Sequence, residues 1–241
     1  MKRFGLALLV CFCMSAGIAG LAAPQDKLQA ELNVLFIGNS YTYVNDLPKT
    51  LAELAKAGKQ LPVHHERETP GGCSLEKHWK DGKALTKVQS RKWDYVVLQD
   101  HSLGPLQKRD EMIEYGKKFD AEIKKAGART ILYMTWARQN QPEDQAALSK
   151  AYLDLSKDLK SKVAPVGNAW STALKADPAL VLHQEDKSHP NATGTYLAAC
   201  VFYGTIYGKS PEGLPGTGKL IDAEAKPLQT IAWKAVQEIE K

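Results

Sequence analysis

Cysteine is scarce in this chain. Of 241 residues only four are Cys, none in a Cys-x-x-Cys pair and none grouped with histidine at the spacing of a zinc site. A disulfide-stapled miniature scaffold and a zinc ribbon are therefore excluded. No segment of roughly 20–50 residues recurs, which removes solenoids and propellers, and there is no low-complexity tract. Charge of one sign is lacking as well. The 32 basic and 27 acidic side chains leave a formal net charge of +5, and the lysines are scattered rather than blocked. Nothing in that balance points to nucleic acid as a partner. Long hydrophobic runs are missing except at the N-terminus.

There, Lys2 and Arg3 precede an apolar stretch over residues 6–14 and a small-residue region over residues 15–23. This is the layout of a secretory signal peptide, expected over residues 1–22 with cleavage after Ala22. The stretch is too short for a comfortable membrane span, so no stable membrane insertion is expected after cleavage; an uncleaved anchor is the alternative. Export to the periplasm or the medium follows. Loss of Lys2 and Arg3 lowers the formal charge by two, and Cys11 and Cys13 leave with the leader. Cys73 and Cys200 remain, and an oxidising compartment permits a disulfide between them; two buried thiols are the alternative.

What is present is an ordinary globular composition, 44% hydrophobic and 24% charged, with a repeated succession of short apolar runs and longer helical patterns. Strands are expected at residues 32–37, 61–66, 95–98, 130–134 and 163–166. Helices are expected after Asp46, which suits an N-cap, and at residues 74–88, 109–125, 143–159, 191–207 and 223–240. Pro165 places the last strand near an edge. Alternating β and α with continuously apolar strands implies an α/β fold, a three-layer α/β/α sandwich around a mostly parallel sheet of about five strands. Residues 31–241 are expected to form one domain. Ligands of such sheets bind beyond the C-terminal strand ends, and the polar motifs fall there.

Gly38-Asn39-Ser40 follows the first strand, which leaves Ser40 at the rim of the sheet as a candidate nucleophile. A serine hydroxyl needs a base and a group that orients the base. Asp186-Lys187-Ser188-His189 can supply both, with Asp186 on the imidazole Nδ1 and Nε2 free for Ser40. The plain alternatives are a hydrogen-bonded turn at Ser40 and a capped helix start beyond His189. Gly71-Gly72, after the second strand, lets a backbone N–H approach a developing oxyanion; a loop needing permissive dihedrals is the alternative. Gln99-Asp100-His101 follows the third strand, where the Gln99 amide is a candidate donor. Asp100 and His101 form a rival base pair. His64, His65, His78 and His183 have no partners at metal-ligand spacing and read as structural or surface residues.

In this order, the blocks Gly38-Asn39-Ser40, Gly71-Gly72 and Asp186-x-x-His189 resemble the SGNH/GDSL hydrolase family, over essentially the whole chain after the leader. The resemblance implies a flavodoxin-like sheet. It also implies Ser40 as nucleophile, His189 as base and then acid, and Asp186 as its orienter. The N–H groups of Ser40 and Gly72 would serve as oxyanion donors. Two departures stand out. Asn39 replaces the usual aspartate, and the third block lacks Gly-x-Asn-Asp, leaving Gln99 or His101 as its side-chain donor.

The implied activity is hydrolysis of an ester outside the cytoplasm, with O-acetylated carbohydrate first and lipid or small acyl esters next. No metal or organic cofactor is implied. Trp79, Trp136 and Trp170 are candidates for a sugar-stacking face or, alternatively, for the core. Two other readings are a non-catalytic carbohydrate- or envelope-binding module on the same scaffold, and a metal-dependent hydrolase using Asp100, His101 and His189.

Overall fold

Strands form where apolar side chains run without interruption, and helices where they recur every three or four residues. The computed structural model describes Met1, residues 31–216 and residues 220–239; the expected leader, with Cys11 and Cys13, lies outside the described residues. In chain order the elements are β1 (Leu32–Ile37), α1 (Ser40–Tyr43), α2 (Leu47–Ala57), β2 (Val63–Glu68), α3 (Leu75–Asp81), α4 (Lys83–Ser90), β3 (Tyr95–Leu98), α5 (Gly104–Gln107), α6 (Arg109–Lys125), β4 (Arg129–Tyr133), α7 (Gln145–Leu159), β5 (Lys162–Ala164), α8 (Val166–Ala176), α9 (Ala192–Tyr207) and α10 (Asp222–Ile239).

The five strands form one parallel sheet in the order β2-β1-β3-β4-β5. Successive side chains of a strand point to opposite faces, and here both faces are apolar. Val34, Phe36, Tyr95, Val97, Ile131 and Tyr133 join the core formed with α2, α8, α9 and α10. Leu35, Ile37, Val96, Leu98 and Leu132 join the core beneath α3, α4, α6 and α7. The result is a three-layer α/β/α sandwich with the expected flavodoxin-like strand order.

Several local expectations are corrected. The helix expected over residues 74–88 is two helices, because Gly82 adopts a left-handed conformation (φ +75°) that ends α3 and starts α4. Helix α8 was not foreseen: Pro165 and Val166 read as the end of an edge strand, whereas the helix begins at Val166 with Gly167 in its first turn. Gly167 is there because Thr135 and Gln145 pack directly against its Cα. Strand β2 begins two residues later than expected and stays half-buried, as suits an edge strand paired only with β1. Cys73 and Cys200 are separate buried thiols, not a disulfide. Burial pushes them up to about 11 and about 12 respectively, so both stay protonated. Among the described residues no helix is long and apolar enough to cross a membrane.

Candidate active site

Parallel register brings the motifs to one place. Ile37 pairs with Leu98 and with Glu68. The Gln99 N–H then donates to Ile37 O (2.9 Å) and the Gly38 N–H to Glu68 O (3.1 Å). The loops after β1, β2 and β3 therefore leave the sheet side by side, where the strand order reverses. Ligands of open parallel sheets gather at such a point.

Asn39 fastens these loops together. It is the N-cap of α1, its Oδ1 accepting from the Tyr41 N–H at 3.1 Å. Its Nδ2 donates to Cys73 O (2.9 Å) and Asp100 O (3.3 Å). An aspartate could cap but could not donate, so Asn39 adds links that the acidic residue would lack. Gly38 leaves no room for a side chain: a Cβ there would sit 2.5 Å from Gln99 Oε1 and 2.9 Å from Thr42 Oγ1. His78 Nε2 bonds Gly38 O at 2.7 Å from a buried position, which makes that histidine structural.

Ser40 opens α1 and is only 9% exposed. Its Oγ lies 2.8 Å from His189 Nε2. His189 Nδ1 bonds Asp186 Oδ2, and Asp186 Oδ1 accepts the N–H groups of Ser188 (3.0 Å) and His189 (2.9 Å). Desolvation pushes the Asp186 carboxyl up. The hydrogen bonds from the His189 ring and from the two backbone N–H groups outweigh it and hold the group at about 2. The carboxylate, imidazole and hydroxyl thus form one hydrogen-bonded series.

The loop carrying His189 is held from below. Tyr41 OH and Ser188 Oγ are 2.7 Å apart, and Trp136 Nε1 donates to Ser188 O at 3.0 Å. Tyr41, Trp136 and Trp170 stack in a column with centroid spacings of 4.5 and 3.9 Å. Trp136 and Trp170 are buried, and Trp79 packs edge-on to Phe119. Trp136 and Trp170 belong to the core, and half-buried Trp79 packs against it beneath Lys118. Asn45 Nδ2 ties the same loop at Pro190 O (2.9 Å).

The third block departs from expectation. Gln99 is fully buried, and its Nε2 donates to Asn39 Oδ1 (2.7 Å) and Asp100 O (2.8 Å). Its Oε1 accepts from the Asn39 N–H and Thr42 Oγ1. Both amide hydrogens are spent, so Gln99 is corrected from oxyanion donor to a brace beneath the Ser40 turn. Asp100 is also inward, accepting from the Leu75 N–H at 2.8 Å. It is no partner for His101 as a rival base. Among the described residues no three metal-type ligands converge.

A cavity of about 320 Å³ opens over Ser40, and Gly72, Tyr43, His101, Arg138 and His189 share in its wall. Gly72 adopts φ +64°, and among the described residues neither its N–H nor that of Ser40 has a backbone partner. His101 Nδ1 accepts from the Leu103 N–H at 3.3 Å, which leaves the ring proton on Nε2. Burial first, and the Arg138 charge second, lower its pKa, so the ring stays neutral. Arg138, Tyr41 and Ser188 were not singled out from the sequence. A charged residue shortly after the C-terminal end of a central strand was the available signal for Arg138.

No family model and no curated protein matches the chain. Solved structures do. A candidate SGNH hydrolase from Slackia heliotrinireducens is 24% identical, covering 73% of this chain and 99% of its own, with a TM-score of 0.63. The fold is that of the SGNH hydrolases. A DUF4886 family protein from Bacteroides uniformis is 21% identical over 88% of this chain and 96% of its own, at a TM-score of 0.66. An acetyl-xylooligosaccharide esterase from Geobacillus is 17% identical, covering 73% of this chain and 94% of its own, with a TM-score of 0.57.

Proposed function

We propose that the chain is an exported serine esterase that cleaves a small acyl ester, with acetyl esters of carbohydrate foremost. The observation that carries this reading is the hydrogen-bonded series Ser40–His189–Asp186 at the C-terminal edge of the sheet. Ser40 Oγ attacks the ester carbonyl carbon while its proton passes to His189 Nε2. The tetrahedral oxyanion faces the free N–H groups of Ser40 and Gly72, with His101 Nε2–H in place of Gln99 as the third donor. Collapse expels the alcohol, which takes the proton from His189. Water, deprotonated by His189, then attacks the acyl-enzyme, and the acid leaves as Ser40 is restored. Asp186 keeps the imidazole oriented and balances its transient charge.

The SGNH fold supports an ester substrate, and the acetyl-xylooligosaccharide esterase with that fold supports the carbohydrate assignment. The cavity of about 320 Å³ suits a small acyl group. The basic and apolar leader pattern supports export. A binding module without turnover would need no serine within 2.8 Å of a base. Substitution of Ser40 by Ala is expected to abolish both p-nitrophenyl acetate hydrolysis and fluorophosphonate labelling. Retention of both at the wild-type level overturns the assignment.

A further inference from the structure

Among the described residues, four of the five arginines are engaged. Arg67, Arg91 and Arg109 each meet a carboxylate, and Arg129 lies over the Tyr95 ring at 4.3 Å. Among the described residues Arg138 alone has neither an ion pair nor a ring contact. Its Nε is buried without a hydrogen-bond partner, and orphaned buried donors are rare in native structures. Nor does its side chain hold the local backbone, which is fixed by other groups. The Ala137 N–H bonds Gln145 Oε1 (2.8 Å), the Gln139 N–H bonds Lys187 O (2.9 Å), and Arg138 O accepts from the Gln141 N–H (3.0 Å). An unspent guanidinium is thus held in a firmly anchored loop at the wall of the cavity that contains Ser40 and His189.

No other permanent charge lines that cavity. The adjoining cavity is lined by three carboxylates: Glu76 and Glu111 are paired with Lys80 and Lys108, and Asp100 is turned inward to the Leu75 N–H. Asp186, hydrogen-bonded by His189, is not part of the wall of the Ser40 cavity. Within the wall of the Ser40 cavity itself the one permanent charge is therefore positive. A single guanidinium matches a monoanion, and its planar fork fits a carboxylate through two parallel hydrogen bonds.

We infer that Arg138 binds a carboxylate on the substrate, so that the ester cleaved at Ser40 carries an acid group a few atoms from the scissile bond. The inference rests on the esterase reading above and narrows it to an acidic ester. The acid group has two possible sources, the acyl part and the alcohol part, and matched pairs separate them. One pair is p-nitrophenyl hydrogen succinate against p-nitrophenyl butyrate. The other is an O-acetylated methyl galacturonide against the corresponding acetylated methyl galactoside.

In one of the two pairs, wild type is expected to favour the anionic member by about tenfold or more in kcat/KM at low ionic strength, with the preference shrinking as salt is added. Arg138→Gln brings that ratio close to one, and Arg138→Lys keeps part of it. Ratios at or below one in both pairs, or an undiminished preference in Arg138→Gln, overturn the inference. Calorimetric titration of Ser40→Ala with the same four compounds reads the preference without turnover. If wild type hydrolyses none of them, the esterase reading falls, and equal affinities within both pairs then also overturn the role of Arg138. Tighter binding of an anionic member in that case sustains it.

Discussion

His189 Nε2 lies 2.8 Å from Ser40 Oγ across a sequence separation of 149 residues. No local element joins them. Ser40 is set by β1 and the Asn39 cap, whereas His189 sits in a loop whose carbonyls and hydroxyl are held by Trp136, Tyr41 and Asn45. The His189 half is thus held in part by Tyr41 and Asn45, which follow Ser40 in the chain, and the two groups meet in the resting protein.

His189→Ala is expected to lower kcat for p-nitrophenyl acetate by about 10⁴-fold or more, with little change in KM, because it removes the base in both steps. Asp186→Asn should cost less, about 10²–10⁴-fold. The Asp186 side chain is 47% exposed, and solvent weakens its electrostatic share. The double variant should be no worse than His189→Ala. Additive losses would mean that the two residues act independently and not as one relay.

Gln99 and His101 are expected to separate cleanly. Gln99→Ala strips partners from the Asn39 N–H, Asn39 Oδ1, Thr42 Oγ1 and Asp100 O, all buried. It should destabilise the fold by about 2–4 kcal/mol in denaturant titrations. His101→Ala loses one long hydrogen bond, for about 1 kcal/mol or less, yet should reduce kcat by about 10²–10³-fold through the missing oxyanion donor. Loss of activity without loss of stability in Gln99→Ala would return the donor role to Gln99.

The layers and the parallel sheet were legible from residue pattern, because apolar runs such as Leu32–Ile37 and Tyr95–Leu98 permit few other environments; the strand order followed from the family resemblance. What stayed hidden was the direction of polar side chains. Gln99 and His101 are two residues apart at the end of one strand, and either could face the ligand. The outcome depends on Asn39 and Thr42, some 57–60 positions away, which capture the amide. Arg138 was equally hidden, since an unpaired charge becomes visible only once every carboxylate has been placed. Helix α8 was missed because Gly167 answers to a tertiary contact with Thr135, not to local preference.

Asp100 gives the site a pH signature in stability. Its carboxyl is buried, and desolvation raises it to about 6 from an ordinary 3.8 despite hydrogen bonds from the Leu75 and His101 N–H groups. Between about pH 4 and 6 the folded protein therefore holds a proton that the unfolded chain has released. Stability from this residue is fully present below about pH 4 and declines as pH rises through 6, by about 2–3 kcal/mol in all. Asn at this position keeps an acceptor for the Leu75 N–H but cannot ionise. Asp100→Asn should accordingly be the weaker protein, or an equal one, at pH 4 and should gain on wild type steadily up to pH 7. Denaturant midpoints for both proteins at pH 4, 5, 6 and 7 measure the difference, in which all other titrating groups cancel. Parallel curves over that range would show that Asp100 ionises in the folded protein at the same pH as in the unfolded chain, and that the charge beneath His101 is already compensated.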